Sequence, residues 1–312
     1  MKAFSFDARS TPLALLATLA LLPCFGAPAF ASTQPFAGQS PADPTGTVEI
    51  INVAGSIEVS GWNQAQVDVS GTIGDKVERV DVTGTTGHTG GGNHTTVRVV
   101  LPSGSSWMGD SSAHLKIKVP HGSSLEVSLV SADLSVSGVD GNQKLQTVSG
   151  DISGTSSGNL QINTVSGDVR MTTHDDHALQ IKTISGDMNV SGADGDVQVK
   201  TVSGDAQLTL GSLTSARIES VSGDVVVSST LAPTGQFDAS SVSGDLHVKF
   251  AAQPDADIDV QSFSGSISNC FGPKPTEEHY GPGSRLNFRS GKGGGKVHLD
   301  TKSGDVSVCT VK

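Results

Sequence analysis

One five-residue phrase recurs along the chain at intervals of about 20 residues. It reads TVSGD at residues 147–151 and returns, with Ile or Ser exchanges, from residues 164, 183, 201, 220 and 241; weaker copies begin at 129, 262 and 301. Copies from 129 to 262 are 17 to 21 residues apart. Such a period predicts a solenoid, because one unit can bury its apolar side only against its neighbours. The last interval, 39 residues, predicts two units, with a degenerate phrase between them.

Apolar residues alternate within each unit. Residues 160–164 follow one parity, with Leu160 and Thr164 on the same side, and residues 165–171 follow the opposite parity, starting from Val165. Alternation with period two predicts short strands. The change of parity predicts a corner between Thr164 and Val165, with Val165 and Gly167 facing the core.

These features predict an all-β fold, specifically a parallel β-helix, or β-solenoid, with coils of about 17–21 residues. The 4% aromatic content and 38 glycines agree with strands and turns. Coils stack about 4.8 Å apart, so about nine of them would form a rod of roughly 45 Å. A right-handed coil is expected by analogy with parallel crossover connections.

The phrase also predicts structural roles at the bend. Its glycine is expected to sit where a side chain has no room and where φ can be positive; these positions are Gly150, Gly167, Gly186, Gly204, Gly223, Gly244 and Gly304. The aspartates that follow them can accept hydrogen bonds from backbone N–H groups at the bend.

The chain divides into four regions. Residues 1–31 are predicted to be a signal peptide, with Lys2 and Arg9, an apolar run and a cleavage site after Ala31. Residues 32–46 are predicted to be a disordered tether, residues 47–128 irregular N-terminal coils that cap the solenoid, and residues 129–312 regular repeats with a loop insertion at 271–284. Lipidation at Cys24 is an alternative that Pro23 disfavours.

Export predicts a periplasmic, cell-surface or extracellular location. Loss of residues 1–31 would change the net charge from −11 to −12. Such acidity argues against binding to nucleic acid. No stretch after the leader is apolar for the ~20 residues of a membrane helix, so no integral span is expected in the mature chain. Cys270 and Cys309 can pair in an oxidising compartment or remain buried thiols.

The aspartates of the phrase are the most suggestive candidates for a site. They are expected in one column, where calcium could bind, although turn capping is the favoured role; they are Asp151, Asp168, Asp187, Asp205, Asp224 and Asp245. Residues 174–177 (HDDH), with His88 and His94, are weaker candidates for a transition-metal site. Trp62 and Trp107 are candidate sugar-stacking surfaces, or covers of the N-terminal end. No cofactor is expected.

The chain resembles the bacterial putative-adhesin family, whose members are exported domains of unknown function. The resemblance rests on the repeated [TS]-[VI]-S-G-D-[VIL] phrase, the passage LKIKVPHGSSLEVSLVSADLSV and the FGPK…YGPG…SGDV ending, and it covers about residues 48–312. It implies a β-solenoid and supplies no catalytic residues.

The sequence therefore favours a non-enzymatic binding or structural module that presents polar ladders to a glycan or an envelope protein. Residues copied in every unit are usually structural, because a catalytic residue is normally singular. Two alternatives stay open. One is a polysaccharide-active β-helix enzyme, which two or three unmatched carboxylates in a groove would favour; the other is a periplasmic envelope scaffold.

Overall fold

Short alternating segments separated by glycine-rich turns form strands throughout the computed structural model. The structure describes residues 33–85, 94–102, 109–174, 177–277 and 283–311, and none of these residues lies in an α-helix. The predicted signal peptide lies outside the described residues. The fold is all-β, with most of its strand pairs parallel.

Twenty-three strands are present in the described part of the chain. The first six are β1 (Gln34–Pro41), β2 (Thr47–Trp62), β3 (Gln66–Ile73), β4 (Arg79–Thr85), β5 (His94–Val100) and β6 (Ala113–Pro120). The repeat region holds β7 (Ser124–Ser137), β8 (Gln143–Ser149), β9 (Ile152–Ser156), β10 (Leu160–Ser166), β11 (Val169–Thr173), β12 (Leu179–Ser185), β13 (Met188–Ser191), β14 (Gly195–Ser203), β15 (Ala206–Ser222), β16 (Val225–Ser243) and β17 (Leu246–Phe250). The last six are β18 (Ala256–Ser264), β19 (Ile267–Asn269), β20 (Thr276–Glu277), β21 (Ser284–Ser290), β22 (Gly295–Ser303) and β23 (Val306–Thr310).

Successive repeats pair in parallel and in register. Strand β10 has β8 on one side and β12 on the other, so that Thr164 lies between Thr147 and Thr183. The second half of each unit behaves in the same way, with β11 between β9 and β13. Equivalent positions of the phrase therefore form continuous columns from one repeat to the next, as a β-solenoid requires.

The columns that face the interior consist mostly of apolar residues and small hydroxyl residues, and the amide of Gln143 is an exception in the column of Leu125 and Leu160. Leu160, Ile162 and Val169 are buried, as are their counterparts in neighbouring repeats. One cluster of buried residues runs from Val48 to Val308. A chain with few aromatic residues can build this core because each Val, Ile or Leu packs against its equivalent in the next repeat.

The predicted position of the bend is wrong. Thr164 faces the core, but Val165 and Ser166 both point outward, and inward alternation resumes only at Val169. The bend thus occupies residues 165–168 rather than the link between Thr164 and Val165. The inward and outward alternation of side chains is interrupted at the bend because the glycine has a positive φ. Its backbone is then outside the extended conformation in which side chains alternate with a period of two residues.

The order of the C-terminal repeats also differs from the prediction. Strand β16 pairs with β22 rather than β18, and β22 pairs on its other side with β18. Likewise β23 lies between β17 and β19. The last repeat of the sequence is therefore inserted between the two that precede it.

The 39-residue interval contains no degenerate coil in its described part. Strand β21 instead runs antiparallel to β18, and β20, within the predicted insertion, runs antiparallel to β21. This reversal returns the chain to the position left open beside β16 and β17. Tyr280 lies outside the described residues.

The N-terminal region mixes parallel and antiparallel strands. Strand β2 pairs in parallel with β5, β6 and β7. The β3–β6 and β4–β5 pairs are antiparallel. The predicted disordered tether is wrong for residues 34–41, because β1 pairs antiparallel with β3 over eight positions. Backbone hydrogen bonds hold this polar segment, which has too few apolar residues to predict a strand.

Candidate functional site

Outward residues of the first strand in each repeat form an extended surface, which we call the polar face. Its first column consists of Lys144, Gln161, Gln180, Gln198, Arg217, Asp238, His298 and Asp259. Its second column consists of Gln146, Asn163, Lys182, Lys200, Glu219, Ser240, Asp300 and Gln261. Both columns arise because alternate residues of a strand point to the same side.

Neighbouring side chains on the polar face contact one another across the repeats. The Gln180 amide donates a hydrogen bond to the Gln198 side-chain oxygen, and Lys200 Nζ lies 2.8 Å from a Glu219 carboxylate oxygen. These contacts restrain the side chains in the free protein. A ligand that binds there would lose less affinity to side-chain ordering.

Three shallow depressions connect along the polar face. The first includes Gln143 and Gln180, the second includes Gln180 and Asp238, and the third includes Asp238 and His298, so adjacent depressions share lining residues. The third has a volume of about 680 Å³. Together they form one long, open groove rather than an enclosed pocket of the kind that usually binds a small ligand.

Three carboxylates lie in the third depression, and cationic side chains accompany each of them. Asp257 accepts a hydrogen bond of 2.7 Å from Arg289 Nε, which lowers the pKa of the Asp257 carboxyl. An Asp259 carboxylate oxygen lies 3.7 Å from Arg285 Nε, and Asp238 lies 3.9 Å from Arg217. This is a matched cluster, which differs from the unmatched carboxylates expected of a glycoside-cleaving site.

The aspartates of the phrase form a single hydrogen-bonded column on the bend. The Oδ1 atom of each accepts a hydrogen bond from the backbone N–H of the aspartate in the next repeat: Asp168 Oδ1 from Asp187 at 3.0 Å, and Asp187 Oδ1 from Asp205 at 3.0 Å. The same contact links Asp151, Asp168, Asp187, Asp205, Asp224, Asp245 and Asp305 without a gap.

The backbone hydrogen bond from Asp187, with the ion pair to Arg170, lowers the pKa of Asp168. In the described part of the chain, no three histidine, cysteine, aspartate or glutamate side chains converge in a way that could hold a metal ion. The contacts of this column are thus those of turn capping.

The glycines of the phrase all have positive φ, between 113° and 142°. A Cβ atom on Gly167 would collide with the carbonyl oxygen of Gly150, the equivalent residue of the preceding repeat. The missing side chain would therefore point along the stack toward the neighbouring backbone, and not into the core as the parity argument predicted. Close approach between repeats, together with φ, requires glycine here.

Two structural features were not settled by the sequence: the hydroxyl contacts of the first phrase residue were not predicted, and the state of Cys270 and Cys309 was left open between a disulfide and two thiols. The first residue of the phrase is buried. In three successive repeats its hydroxyl donates a hydrogen bond across the bend, for example from Thr164 Oγ1 to the Ser166 carbonyl and from Thr183 Oγ1 to the Ser185 carbonyl. Within the described part of the chain, no such partner is present for the hydroxyls of Thr147, Ser220, Ser241 and Thr301. The sequence signal for this position was the recurrence of Thr or Ser in every copy except the one that begins at Leu129. Cys270 and Cys309 form a disulfide, which ties the end of β19 to the inserted strand β23.

The remaining sequence candidates that lie among the described residues do not converge. His94 lies beside Glu49, and the face of Trp62 is covered by Lys118 at 5.5 Å. His174 and His177 are exposed. His88, Trp107, Asp175 and Asp176 lie outside the described residues.

Comparisons with known proteins identify a family. A family model described as Toastrack DUF4097 matches residues 55–309. No curated protein matches the chain. Among the described residues, no helix is long and apolar enough to cross a membrane.

Solved structures to which the chain shows similarity include a "putative lipid binding protein" from Parabacteroides distasonis, which is 15% identical, with 89% of this chain and 97% of that chain covered and a TM-score of 0.48. A "putative adhesin" from Bacteroides fragilis is 12% identical, with 90% and 99% covered and a TM-score of 0.46. A "putative cell adhesion protein" from Clostridium sporogenes is 9% identical, with 89% and 100% covered and a TM-score of 0.30.

Proposed function

The chain belongs to the Toastrack DUF4097 family, and we propose that it acts as an exported, non-enzymatic adhesin-like module whose polar face binds a repetitive glycan. The observation that carries this proposal is the groove along the polar face, in which a polar or charged side chain occupies the same position in every repeat and glutamine occupies it in three successive repeats. A polymer with its own repeating hydroxyl groups can contact several steps of such a groove at once.

Individually weak contacts are sufficient to bind a polymeric ligand because the same ligand makes many of them along the groove. Each step supplies only a few hydrogen bonds in an open, wet groove, so a single sugar would bind poorly. A chain that spans several steps gains affinity through multivalency, since later contacts form at high effective concentration. The proposal therefore predicts that affinity rises steeply with oligosaccharide length.

The proposal also covers the architecture of the repeats and the location of the mature protein in the cell. We infer that the repeats wind as a right-handed parallel β-helix, that residues 1–31 are removed as a signal peptide, and that the mature protein lies in the periplasm or at the cell surface. The parallel in-register pairing of successive repeats supports the first inference, and the Cys270–Cys309 disulfide agrees with an oxidising compartment.

The experiment is a glycan array probed with the purified protein, alongside a variant with Gln161→Ala, Gln180→Ala and Gln198→Ala. These residues are outward-facing, so the variant should fold normally while losing three successive steps of the groove. We expect binding to polymeric glycans that increases with length and falls at least tenfold in the variant.

A matched control replaces Asn189 and Gln207, which are outward residues of the second strand in two adjacent repeats, with Ala and should retain binding. If no glycan binds, or if the polar-face variant binds as well as the parent, the glycan proposal fails. Capture of an envelope protein that depends on the same three glutamines would instead assign the polar face to a protein partner.

A further inference from the structure

A second surface, unlike the polar face, lies on the bend itself. Seven apolar side chains, each 44–51% exposed, occupy the same position of the phrase in consecutive repeats; we call them the apolar stripe, and they are Val130, Val148, Val165, Ile184, Val202, Val221 and Val242. The serines that follow them pair in register from Ser131 to Ser243, so the seven side chains form one column. Six steps of about 4.8 Å make it about 29 Å long.

Single exposed valines need no explanation, but an unbroken row marks an interaction surface. Core packing does not account for the stripe, because the residues on either side of the bend already fill the interior. The stripe also ends at a definite place. The inserted repeat puts Lys302 in the next position of the column, and the apolar side chain of Phe263 follows only beyond it.

Acidic groups border the stripe along its whole length. Three residues after each stripe residue from Val130 onward comes an aspartate, the first being Asp133 and the last Asp245. The backbone N–H contact uses Oδ1 of these residues, and in the described part of the chain Asp187, Asp205, Asp224 and Asp245 have no ion-pair partner. From Asp187 to Asp245 the stripe therefore lies beside carboxylates without an ion pair, whereas Arg170 pairs with Asp151 and Asp168.

An apolar stripe bordered by aspartates disfavours a second copy of the chain as the partner that binds there. Two copies that joined their stripes would bring two aspartate columns together in a chain of net charge −11. It also disfavours an anionic lipid surface, for the same electrostatic reason. A partner with an apolar face and basic flanks satisfies both the stripe and its border.

The length and spacing of the stripe further match a helix. An α-helix rises 1.5 Å per residue, so about 20 residues span the ~29 Å of the stripe, and its 5.4 Å turn is close to the 4.8 Å step. We propose that the apolar stripe, with the aspartate column beside it, is a docking surface for a basic amphipathic helical segment of a partner polypeptide. The apolar residues of that segment lie on the valines, and its Lys or Arg side chains reach the free carboxylate oxygens.

The probe is a 20-residue peptide with Leu at helical i, i+3, i+4, i+7 spacing and Lys at the remaining positions, labelled for fluorescence anisotropy. We expect saturable binding that weakens with salt, and no binding of the matched peptide with Glu in place of Lys. Replacing Ile184, Val202 and Val221 with Thr keeps the β-branch and the strand preference while making the surface polar. This variant should bind at least tenfold more weakly.

Two further variants separate the contribution of the aspartate charges from that of the apolar stripe and test whether binding is specific to this surface. Asp187→Asn, Asp205→Asn and Asp224→Asn retain an Oδ1 acceptor for the backbone N–H and remove only the charge, so binding should weaken and lose most of its salt dependence. Gln161→Thr, Gln180→Thr and Gln198→Thr on the polar face are the matched control and should leave peptide affinity unchanged. Melting temperatures verify that all three variants fold.

The proposal is overturned if the Thr variant of the stripe folds and binds the peptide as the parent does. It is also overturned if the parent is a dimer that the stripe variant converts to a monomer, because the occupant would then be a second copy. Stripe-dependent binding to uncharged phosphatidylcholine vesicles, with no preference for the Lys peptide, would reject a helical partner in favour of lipid.

Discussion

Replacing Gly204 with Ala tests whether close stacking of the repeats holds this fold together. Gly204 has a φ of 113°, and a Cβ there would meet the carbonyl oxygen of Gly186 in the preceding repeat. A non-glycine residue in such a conformation costs about 1–3 kcal/mol, and forcing an extra methyl group against rigid backbone adds about 1–3 kcal/mol. We expect the free energy of unfolding to fall by about 2–6 kcal/mol.

The chain offers a control without the second contribution. Gly138 also has a positive φ, but its value of 64° lies in the left-handed region that L-residues can adopt, and the nearest atom to its added Cβ lies 3.6 Å away. Gly138→Ala therefore carries only a conformational cost, which is smaller than the conformational cost at Gly204. Urea unfolding followed by circular dichroism gives both values. If Gly204→Ala destabilises the protein no more than Gly138→Ala does, close contact between repeats is not what requires glycine in the phrase.

Three further predictions concern the bend, the inserted repeat and pH. Val202→Lys should change the unfolding free energy by less than about 0.5 kcal/mol. Val199→Lys, at a fully buried position, should prevent folding or lower the unfolding free energy by more than about 4 kcal/mol. Equal effects of the two substitutions in a thermal melt would reject the outward assignment of Val202. Cys270 and Cys309 close a loop with a sequence separation of 39, so changing both to Ser should lower the free energy of unfolding by about 4 kcal/mol relative to the oxidised parent; the reduced parent should match the variant in urea unfolding, and an oxidised parent no more stable than the variant would contradict this prediction. The pKa of Asp168 is lowered in the folded state by the hydrogen bond from the backbone N–H of Asp187. The contribution of Asp168 to folding stability is therefore present above the ordinary carboxyl pKa and is lost as the pH falls through the lowered pKa. Asp168→Asn should reduce this loss of stability in an acid unfolding series, and an unchanged pH dependence would contradict the assignment.

The repeat and its consequences could be predicted well from sequence. A phrase that returns every 17 to 21 residues, with two-residue alternation around it, leaves few ways to bury the apolar side chains other than stacking. The capping role of aspartates such as Asp168 followed from their position beside a glycine at a bend. The polar ladders followed as well, because outward residues of in-register strands must form columns.

Other features could not be predicted because they depend on contacts between distant segments. Nothing in residues 34–41 indicates a strand; only the edge of β3 creates one. The parity argument put Val165 inside, since alternation alone does not reveal how many residues a bend consumes. That error concealed the apolar stripe, whose residues looked like core.

The amino-acid sequence alone determined that this chain would form stacked β repeats with glycine, aspartate and a small hydroxyl residue at each bend, because those choices depend on one repeat and its immediate neighbour. The tertiary structure alone decided which repeat lies beside which. The repeats that end at Ser243, Ser264 and Ser303 present nearly the same bend and the same backbone hydrogen-bonding groups, so adjacent stacking and insertion satisfy the local rules equally. The reversal at β21 and the Cys270–Cys309 disulfide, contacts made only in the folded chain, accompany the inserted order.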